Sequence, residues 1–154
     1  MTVVMRILFV CTGNICRSPM AEAVMRKLVD DAHLSSEFTL DSAGIGGWHA
    51  GEQPQPSAVA VGAEHGYDVE GLARQVQLGD FADFDLIVAM DRGHQRALRD
   101  VSLDLESRLK VRLLLDGEDV PDPYGGPRSA YELVLSLLER GCRELLTELT
   151  SSPF

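Results

Sequence analysis

The sequence predicts an α/β fold: a single domain over residues 1–154, with three α/β/α layers around a four-stranded parallel sheet. Four short apolar segments with the character of buried strands alternate with stretches of helical periodicity. Such alternation is typical of a parallel sheet that helices cover on both faces. A length of 154 residues suits one domain with one well-buried core, and no linker divides the chain.

The predicted elements follow in order along the chain. The strands are Arg6–Val10, Phe38–Ser42, Leu86–Ala89 and Val111–Leu115. After the first strand, a helix is predicted from the spacing of Met20, Val24, Leu28 and Ala32. A shorter helix contains Val59 and Ala63 and extends to Gly66. An amphipathic C-terminal helix carries one apolar stripe, formed by Tyr131, Val134, Leu138, Cys142, Leu145 and Leu149.

Composition and charge exclude several classes of function. The formal net charge is −10, whereas a protein that binds nucleic acid concentrates Lys and Arg on one face. The chain has no apolar run of about 18 residues and no signal peptide, so we expect no contact with a membrane. Three cysteines, an odd number, are typical of a reducing compartment, and we expect a cytoplasmic protein that is a monomer. The four histidines have no metal-ligand spacing with the cysteines, so we predict no metal.

The most informative motif is CTGNICRSP, from Cys11 to Pro19. It follows the first predicted strand, and Pro19 suits the first turn of the helix that comes next. Backbone N–H groups in such a loop have no intrahelical partners, and with the helix dipole they form an anion site. Arg17 adds a planar guanidinium that can hold two phosphate oxygens at once. The motif therefore predicts a phosphate site in which the Cys11 thiol ionises easily and attacks the bound phosphate.

Three residues inside the motif refine this interpretation. Gly13 permits a positive φ, and Asn14 is among the few other residues that tolerate a left-handed backbone. Two such positions would let successive N–H groups point inward as an anion nest. Ser18 can cap the following helix, and its hydroxyl can also donate to the Cys11 sulfur. The alternative for the whole motif is an ordinary strand–helix turn with a buried cysteine.

At these residues the chain resembles the low-molecular-weight protein tyrosine phosphatases. The matching segments are VCTGNICRSPMAE at Val10–Glu22, DSAG at Asp41–Gly44 with Trp48 after it, Met90-Asp91, and Asp122-Pro123-Tyr124. They occur in the family's order and span most of the chain. The resemblance implies hydrolysis of phosphotyrosine in protein substrates through a cysteinyl-phosphate intermediate, without a metal or an organic cofactor.

The resemblance also implies catalytic roles. Cys11 is the nucleophile, Arg17 holds the phosphate oxygens that carry charge in the transition state, and Ser18 stabilises the thiolate. Asp122 lies in the predicted loop Asp116–Pro127. It is the general acid that protonates the departing phenolate and then the base that activates water. Asp119 lacks the following proline and ranks well below Asp122 as the acid.

Further residues are implied to bind the substrate. The rest of the phosphate-binding loop consists of Thr12, Gly13, Asn14, Ile15 and Cys16. Trp48 lies in the longest predicted loop, Gly44–Ser57, and forms one wall of a cleft for a flat phenyl ring. Tyr124 forms another wall. In this chain Gly125 follows Tyr124, where some family members have a second tyrosine, so regulation through a tyrosine pair is not expected.

The remaining implied roles are structural or protective. Asn14 holds the loop, with Ser42 as its hydrogen-bond partner. Cys16 forms a reversible disulfide with Cys11 that keeps an oxidised nucleophile from further oxidation. Cys142 lies on the apolar stripe of the last helix, which predicts an inert core position.

Three other functions compete with this prediction. Arsenate reductases have a similar loop but need two further cysteines in a mobile segment of the second half, where only Cys142 occurs. Protein-arginine phosphatases carry Thr where this chain has Ile15, and an apolar Ile favours an aryl ring over a guanidine. A non-catalytic phosphotyrosine-binding module gains nothing from a nucleophile at Cys11 or a negative charge at Asp122. The sequence therefore predicts a protein-tyrosine phosphatase.

Overall fold

The computed structural model of the protein describes residues 4–151, and its sheet has the predicted four parallel strands. The strands are β1 (Met5–Cys11), β2 (Phe38–Gly44), β3 (Leu86–Ala89) and β4 (Val111–Leu113). Their order across the sheet is β2-β1-β3-β4. The chain runs from β1 outward to β2 and then returns to place β3 on the other side of β1. The carboxyl ends of β1 and β3 therefore flank the switch point where ligands bind in folds of this type.

Strand β1, in the middle of the sheet, contributes side chains to both halves of the core. Along β1, Ile7 and Phe9 face one side of the sheet, whereas Leu8 and Val10 face the other. All four side chains are fully buried, so both faces of this strand are covered. A strand covered on both faces is apolar at consecutive positions rather than alternate ones, which is the pattern that β1 shows.

Helices cover both faces, as the sequence predicts. The helices are α1 (Arg17–Asp31), α2 (Pro56–Glu64), α3 (Asp80–Asp83), α4 (Arg92–Val101), α5 (Leu105–Leu109) and α6 (Arg128–Thr150), with a 3₁₀ turn at Ser35–Glu37. Helices α1, α2 and α6 contribute to the core on the side of Ile7, and α3 and α4 contribute to the core on the side of Leu8. In the part of the chain that the structure describes, no helix is both long and apolar enough to cross a membrane.

Several details differ from the sequence prediction. Strand β4 ends at Leu113 rather than at Leu115, and the short helices α3, α4 and α5 were not predicted. Helix α2 ends at Glu64 rather than at Gly66, because Gly66 has a φ of 87° and turns the chain out of the helix. The longest loop is 65–79, not Gly44–Ser57. It carries almost no regular structure and is held to the sheet by a bridge between Gly44 and Gln75 and by ion pairs of Arg74.

Candidate active site

The motif that starts at Cys11 forms the loop between β1 and α1, and we call residues 11–18 the phosphate loop. Cys11 is the last residue of β1, and α1 begins at Arg17. The carbonyl groups of Cys11, Thr12 and Ile15 accept hydrogen bonds from the segment 45–55. Among residues 4–151, the N–H groups of residues 12–16 donate to no protein acceptor. These amides are therefore available to an anion in front of the helix N-terminus.

The backbone of the phosphate loop confirms one conformational prediction and corrects another. Asn14 has a φ of 61°, in the left-handed region. Gly13 does not have a positive φ, so the prediction of two left-handed positions was wrong. Glycine is needed at position 13 for space instead, because a Cβ there would lie 2.8 Å from Cδ2 of His49. The segment that follows β2 thus packs directly on the loop.

The side chain of Ser18 contacts the Cys11 sulfur. Its Oγ lies 3.0 Å from Sγ of Cys11 and accepts a hydrogen bond of 2.8 Å from Nδ2 of Asn14. Because α1 begins at Arg17, Ser18 lies inside the first turn and does not cap the helix, so the capping prediction was wrong. Ser18 and Cys11 are buried, and a hydroxyl at this distance can donate to a thiolate.

Asn14 links the phosphate loop to the segments behind it. Its Nδ2 also donates to Oγ of Ser42 at 3.0 Å, and its Oδ1 accepts from the N–H of Arg74 at 3.0 Å. Ser42 in turn donates to Glu22, whose pKa is raised by burial. The Asn14 side chain points away from the cavity, so it supports the loop rather than lining a ligand site.

The guanidinium of Arg17 is buried and held on two sides. Nη1 donates to Oδ2 of Asp91 at 3.1 Å and to the carbonyl of Val120 at 2.9 Å. Nη2 donates to Oγ1 of Thr12 at 3.1 Å. These contacts use three of the five N–H groups of the guanidinium. The N–H group of Nε and the second N–H group of Nη2 can donate to two oxygens of a phosphate.

Two histidines that sequence reasoning did not select lie at the site. Nε2 of His94, on α4, is 2.8 Å from Oγ1 of Thr12. His49 packs on Gly13, and Glu52 holds its Nδ1 at 3.0 Å. No sequence signal links either histidine to the loop, apart from the position of His49 directly after Trp48.

Asp122 lies across the cavity from the phosphate loop. The segment 114–127, between β4 and α6, carries it, and we call this segment the acid loop. Oδ2 of Asp122 is 3.8 Å from Nη2 of Arg17, and its Oδ1 accepts from the N–H of Tyr124 at 3.1 Å. Asp119 instead faces α4, where Arg92 donates to it from both its backbone and its side chain. Those hydrogen bonds lower the pKa of Asp119.

The phosphate loop, the acid loop and the segment after β2 line one cavity of about 150 Å³. Its lining consists of Cys11, Thr12, Gly13, Ile15, Cys16, Arg17, Trp48, His49, Asp122 and Tyr124. Trp48 and Tyr124 are 71% and 57% exposed, so their rings stand as free walls rather than as core residues. The aromatic face of Tyr124 lies near the ring of His49, with centroids 6.2 Å apart. The opening therefore suits a flat apolar group that carries an anion to the cavity floor.

The other two cysteines differ from Cys11. Cys16 also borders the cavity, but burial raises its pKa to about 11, and its sulfur lies 3.7 Å from the Tyr131 hydroxyl. Cys142 is fully buried in α6, where burial raises its pKa. Among residues 4–151, no group of three or more His, Cys, Asp or Glu side chains is placed to hold a metal ion.

Known proteins are similar in sequence to this chain over nearly its whole length. A sequence model of the family described as low molecular weight phosphotyrosine protein phosphatase matches residues 6–152. A low molecular weight protein-tyrosine-phosphatase of Streptomyces coelicolor is 49% identical over 149 residues, and the match covers 92% of this chain and 91% of that protein.

Solved structures give the same result. The crystal structure of a protein tyrosine phosphatase from Entamoeba histolytica has a TM-score of 0.92 and 37% identity, and the match covers 96% of this chain and 97% of that one. The YwlE arginine phosphatase has a TM-score of 0.88 and 29% identity, with coverage of 96% and 97%. The chain therefore belongs to the low molecular weight phosphotyrosine protein phosphatase family.

Proposed function

We propose that the protein hydrolyses phosphotyrosine in protein substrates through a cysteinyl-phosphate on Cys11. One observation carries this proposal. The Cys11 sulfur, the guanidinium of Arg17 and the carboxyl group of Asp122 all border one cavity, in front of unpartnered loop amides. A two-step phosphoryl transfer needs three components around the phosphate: a nucleophile, an anion site and an acid.

In the first step, the amides of residues 12–16 and the free edge of Arg17 hold the phosphate oxygens. The Cys11 thiolate attacks phosphorus, and the bond from phosphorus to the tyrosine oxygen breaks. Asp122, in its protonated form, gives its proton to that oxygen, so that tyrosine rather than its phenolate departs. Ser18 donates a hydrogen bond to the sulfur and stabilises it as a thiolate.

In the second step, water hydrolyses the cysteinyl-phosphate. The Asp122 carboxylate takes a proton from the water as its oxygen attacks phosphorus. The sulfur–phosphorus bond breaks, inorganic phosphate leaves, and Cys11 returns to the thiolate. Asp122 is then protonated again for the next cycle. The exposed position of its side chain suits this exchange with water.

The cavity favours an aryl substrate over phosphoarginine. Ile15 lines the cavity beside Cys16, and the aromatic rings of Trp48 and Tyr124 form its outer walls. Ile15 makes apolar contact with a phenyl ring but offers no hydroxyl to polarise the N–P bond of a phosphorylated guanidine. The likeness to the YwlE arginine phosphatase makes phosphoarginine the second candidate substrate. An arsenate-reducing thiol cascade is disfavoured, because Cys142 is buried away from the cavity.

Two measurements test the proposal. On matched peptides, we expect turnover of phosphotyrosine to exceed that of phosphoserine and phosphoarginine, and faster turnover of phosphoarginine would contradict it. The Cys11→Ser variant should lose all but about one part in a thousand of the activity yet still bind inorganic phosphate by calorimetry. The Cys142→Ala variant is the matched control and should keep its activity. Residual activity of Cys11→Ser above about one per cent would contradict the proposed role of the Cys11 thiolate.

Cys16 is proposed as the partner that protects oxidised Cys11. Peroxide converts the Cys11 thiolate to a sulfenic acid, and attack by the Cys16 sulfur releases water and forms the disulfide. With its pKa raised to about 11, Cys16 is a neutral thiol at pH 7, so it does not compete with Cys11 for phosphate, and its attack on the sulfenic acid requires loss of the thiol proton. We expect peroxide to inactivate the wild type reversibly, with recovery in dithiothreitol. In the Cys16→Ser variant, recovery should be incomplete, and equal recovery would contradict a protective role.

We also propose a cellular compartment and an oligomeric state for the protein. The odd number of cysteines, two of them within one loop, supports a reducing compartment and hence the cytoplasm. The active form is proposed to be a monomer. Light scattering across a range of protein concentrations, with activity measured in parallel, tests whether the active form is a monomer.

A further inference from the structure

His94 is a buried titratable side chain that the proposed mechanism does not use. It is the third residue of α4 and is 6% exposed. Its backbone N–H donates to Oδ1 of Asp91 at 2.8 Å, and this N-cap fixes the first turn of the helix. The imidazole is thereby directed at the phosphate loop, 82 residues earlier in the chain, where it meets Thr12.

The hydrogen bond between Thr12 and His94 continues a contact that begins at Arg17. A guanidinium only donates, so the contact of 3.1 Å from Nη2 makes Oγ1 of Thr12 an acceptor. The hydroxyl has one hydrogen, and the second contact of Oγ1, at 2.8 Å, is Nε2 of His94. When Nε2 carries no proton, the Thr12 hydroxyl can donate to it and still accept from Arg17. The hydroxyl hydrogen of Thr12 then has an acceptor within the protein.

The surroundings of the ring favour that form. Burial lowers the pKa of His94, Asp91 opposes this effect, and Arg17 adds to it, while Asp122 and Asp119 act more weakly in the same direction as Asp91. The ring is therefore neutral near pH 7. Nδ1 lies 3.2 Å from Oδ1 of Asp91, although the described residues offer it no well-aligned hydrogen-bond partner. A proton on Nδ1 faces a carboxylate there, whereas a bare Nδ1 would repel it.

We propose that His94 is a positioning residue: its Nε2 accepts the Thr12 hydroxyl, and Thr12 in turn holds the Arg17 guanidinium in its phosphate-binding orientation. Asp91 holds the other terminal nitrogen of the same guanidinium and also caps α4. The carboxylate of Asp91 directly, and the imidazole of His94 through Thr12, therefore fix Arg17 from the first turn of α4. This inference rests on the proposed function, since it assigns to His94 a part in holding the phosphate clamp.

Kinetics of two variants test the role. The amide oxygen of His94→Gln can reach the position of Nε2 and accept the same hydrogen bond, whereas His94→Leu cannot. We expect His94→Leu to lower kcat/KM about tenfold to a hundredfold, with a matching rise in the inhibition constant of inorganic phosphate. His94→Gln should stay within about threefold of the wild type. His65→Gln, on a histidine that pairs with Glu132, is the matched control and should have no effect. Equal losses in the Leu and Gln variants, or no loss in either, would overturn the proposal.

A double-mutant cycle tests whether His94 acts through Thr12. Thr12→Val removes the hydroxyl with little change in shape. In the Thr12→Val background, the His94→Leu substitution should lower kcat/KM by no more than about twofold, because the link is already broken. If the two losses instead multiply, His94 does not act through Thr12.

NMR of the resting protein tests the contact without turnover. With ¹⁵N-labelled histidine at pH 7, we expect His94 to carry its proton on Nδ1 and none on Nε2, and Thr12→Val should shift the Nε2 resonance. A proton on Nε2 would overturn the proposal even if the variants do not fold. The proposed function would fail if the Cys11→Ser variant were active, and that result would not change the His94 tautomer seen by NMR. Failure of the proposed function and failure of the His94 proposal are therefore distinguishable.

Discussion

The phosphate loop and the acid loop supply the two halves of the proposed chemistry, and they are built in opposite ways. In the phosphate loop, Asn14, Arg17 and Ser18 are at most 3% exposed, and each makes at least two hydrogen bonds. In the acid loop, the side chain of Asp122 is 53% exposed and accepts a hydrogen bond from the backbone of Tyr124.

The acid loop is nevertheless fastened to Arg17 of the phosphate loop, most closely at Val120. Val120 is fully buried, and its N–H donates to the carbonyl of Met90 at the end of β3. Its own carbonyl accepts from Nη1 of Arg17. Beyond Val120 the loop is largely exposed as far as Gly125, which has a φ of 76°. Arg17 therefore ties the phosphate loop to the buried part of the acid loop, just before Asp122.

This difference follows from what each loop has to do. A nucleophile and its anion site must keep one geometry, because the electrostatic stabilisation depends on donors that do not move. A general acid must exchange protons with water and let the product leave. Substitutions in the phosphate loop should therefore reduce stability and activity together, and substitutions in the acid loop should reduce activity alone.

Asp122→Asn should give the largest separation of activity from stability. For phenyl phosphate, which has a poor leaving group, we expect kcat to fall about 10²- to 10⁴-fold. For esters with strongly acidic leaving groups the loss should be much smaller, since these need no proton. The free energy of unfolding in urea should stay within about 0.5 kcal/mol of the wild type, because the side chain is exposed. Equal losses on both esters would remove Asp122 from the acid role.

Asn14→Ala should show the opposite behaviour. It removes the contacts to Ser18, Ser42 and Arg74 and places a Cβ residue without a polar side chain at a φ of 61°. We expect unfolding free energy to fall by about 2–4 kcal/mol and kcat to fall with it. Asn14→Gly relieves the backbone strain but not the lost contacts, so its destabilisation should be smaller. If both variants were as stable as the wild type, the phosphate loop would not be the rigid half.

The rigid half of the site is also the half that the sequence predicts. The strand before Cys11, the proline after Ser18 and the spacing from Cys11 to Arg17 are all local, so a single segment contains the geometry. Asp122 could be selected only through the family resemblance, because an Asp-Pro in a loop is by itself an ordinary turn. Gly13 shows the limit of local reasoning: a glycine serves either a positive φ or a close approach, and only the position of His49 decides.

The residues that sequence reasoning missed are connected through tertiary contacts alone. His94 reaches Thr12 because β1 and β3 are adjacent in the sheet and α4 starts where β3 ends. Helix α4 was not identified from the sequence, since His94 and Leu98 are its only buried residues and its surface is charged. The extent of the loop 65–79 was missed for a related reason, because Arg74 holds it through partners at Asp41 and Asp80.

Ser18→Ala tests the rigid half with a smaller change. The substitution removes the hydroxyl that lies 3.0 Å from the Cys11 sulfur and leaves Asn14 its second acceptor, Ser42. We expect kcat to fall about tenfold, because one hydrogen bond to a thiolate is lost, with a modest loss of stability. Ser136→Ala, on the exposed side of α6, is the matched control. An unchanged kcat would show that the loop amides stabilise the thiolate without Ser18.

Asp119→Asn should have the smallest effect, because it loosens an exposed attachment of the acid loop. Arg92 donates to Asp119 from its backbone and its side chain and lowers the pKa of that carboxyl group below 3.8. A lowered pKa in the folded state means that the stabilisation is present above about pH 4 and is lost as the pH falls through the lowered value. The wild type should therefore be slightly more stable than the variant at pH 7, and the difference in thermal unfolding should disappear as the pH falls through the lowered pKa of Asp119. Since exposed ion pairs contribute little, kcat at pH 7 should change by less than about threefold. A larger loss would mean that Arg92, rather than Val120 and Arg17, holds the acid loop in place.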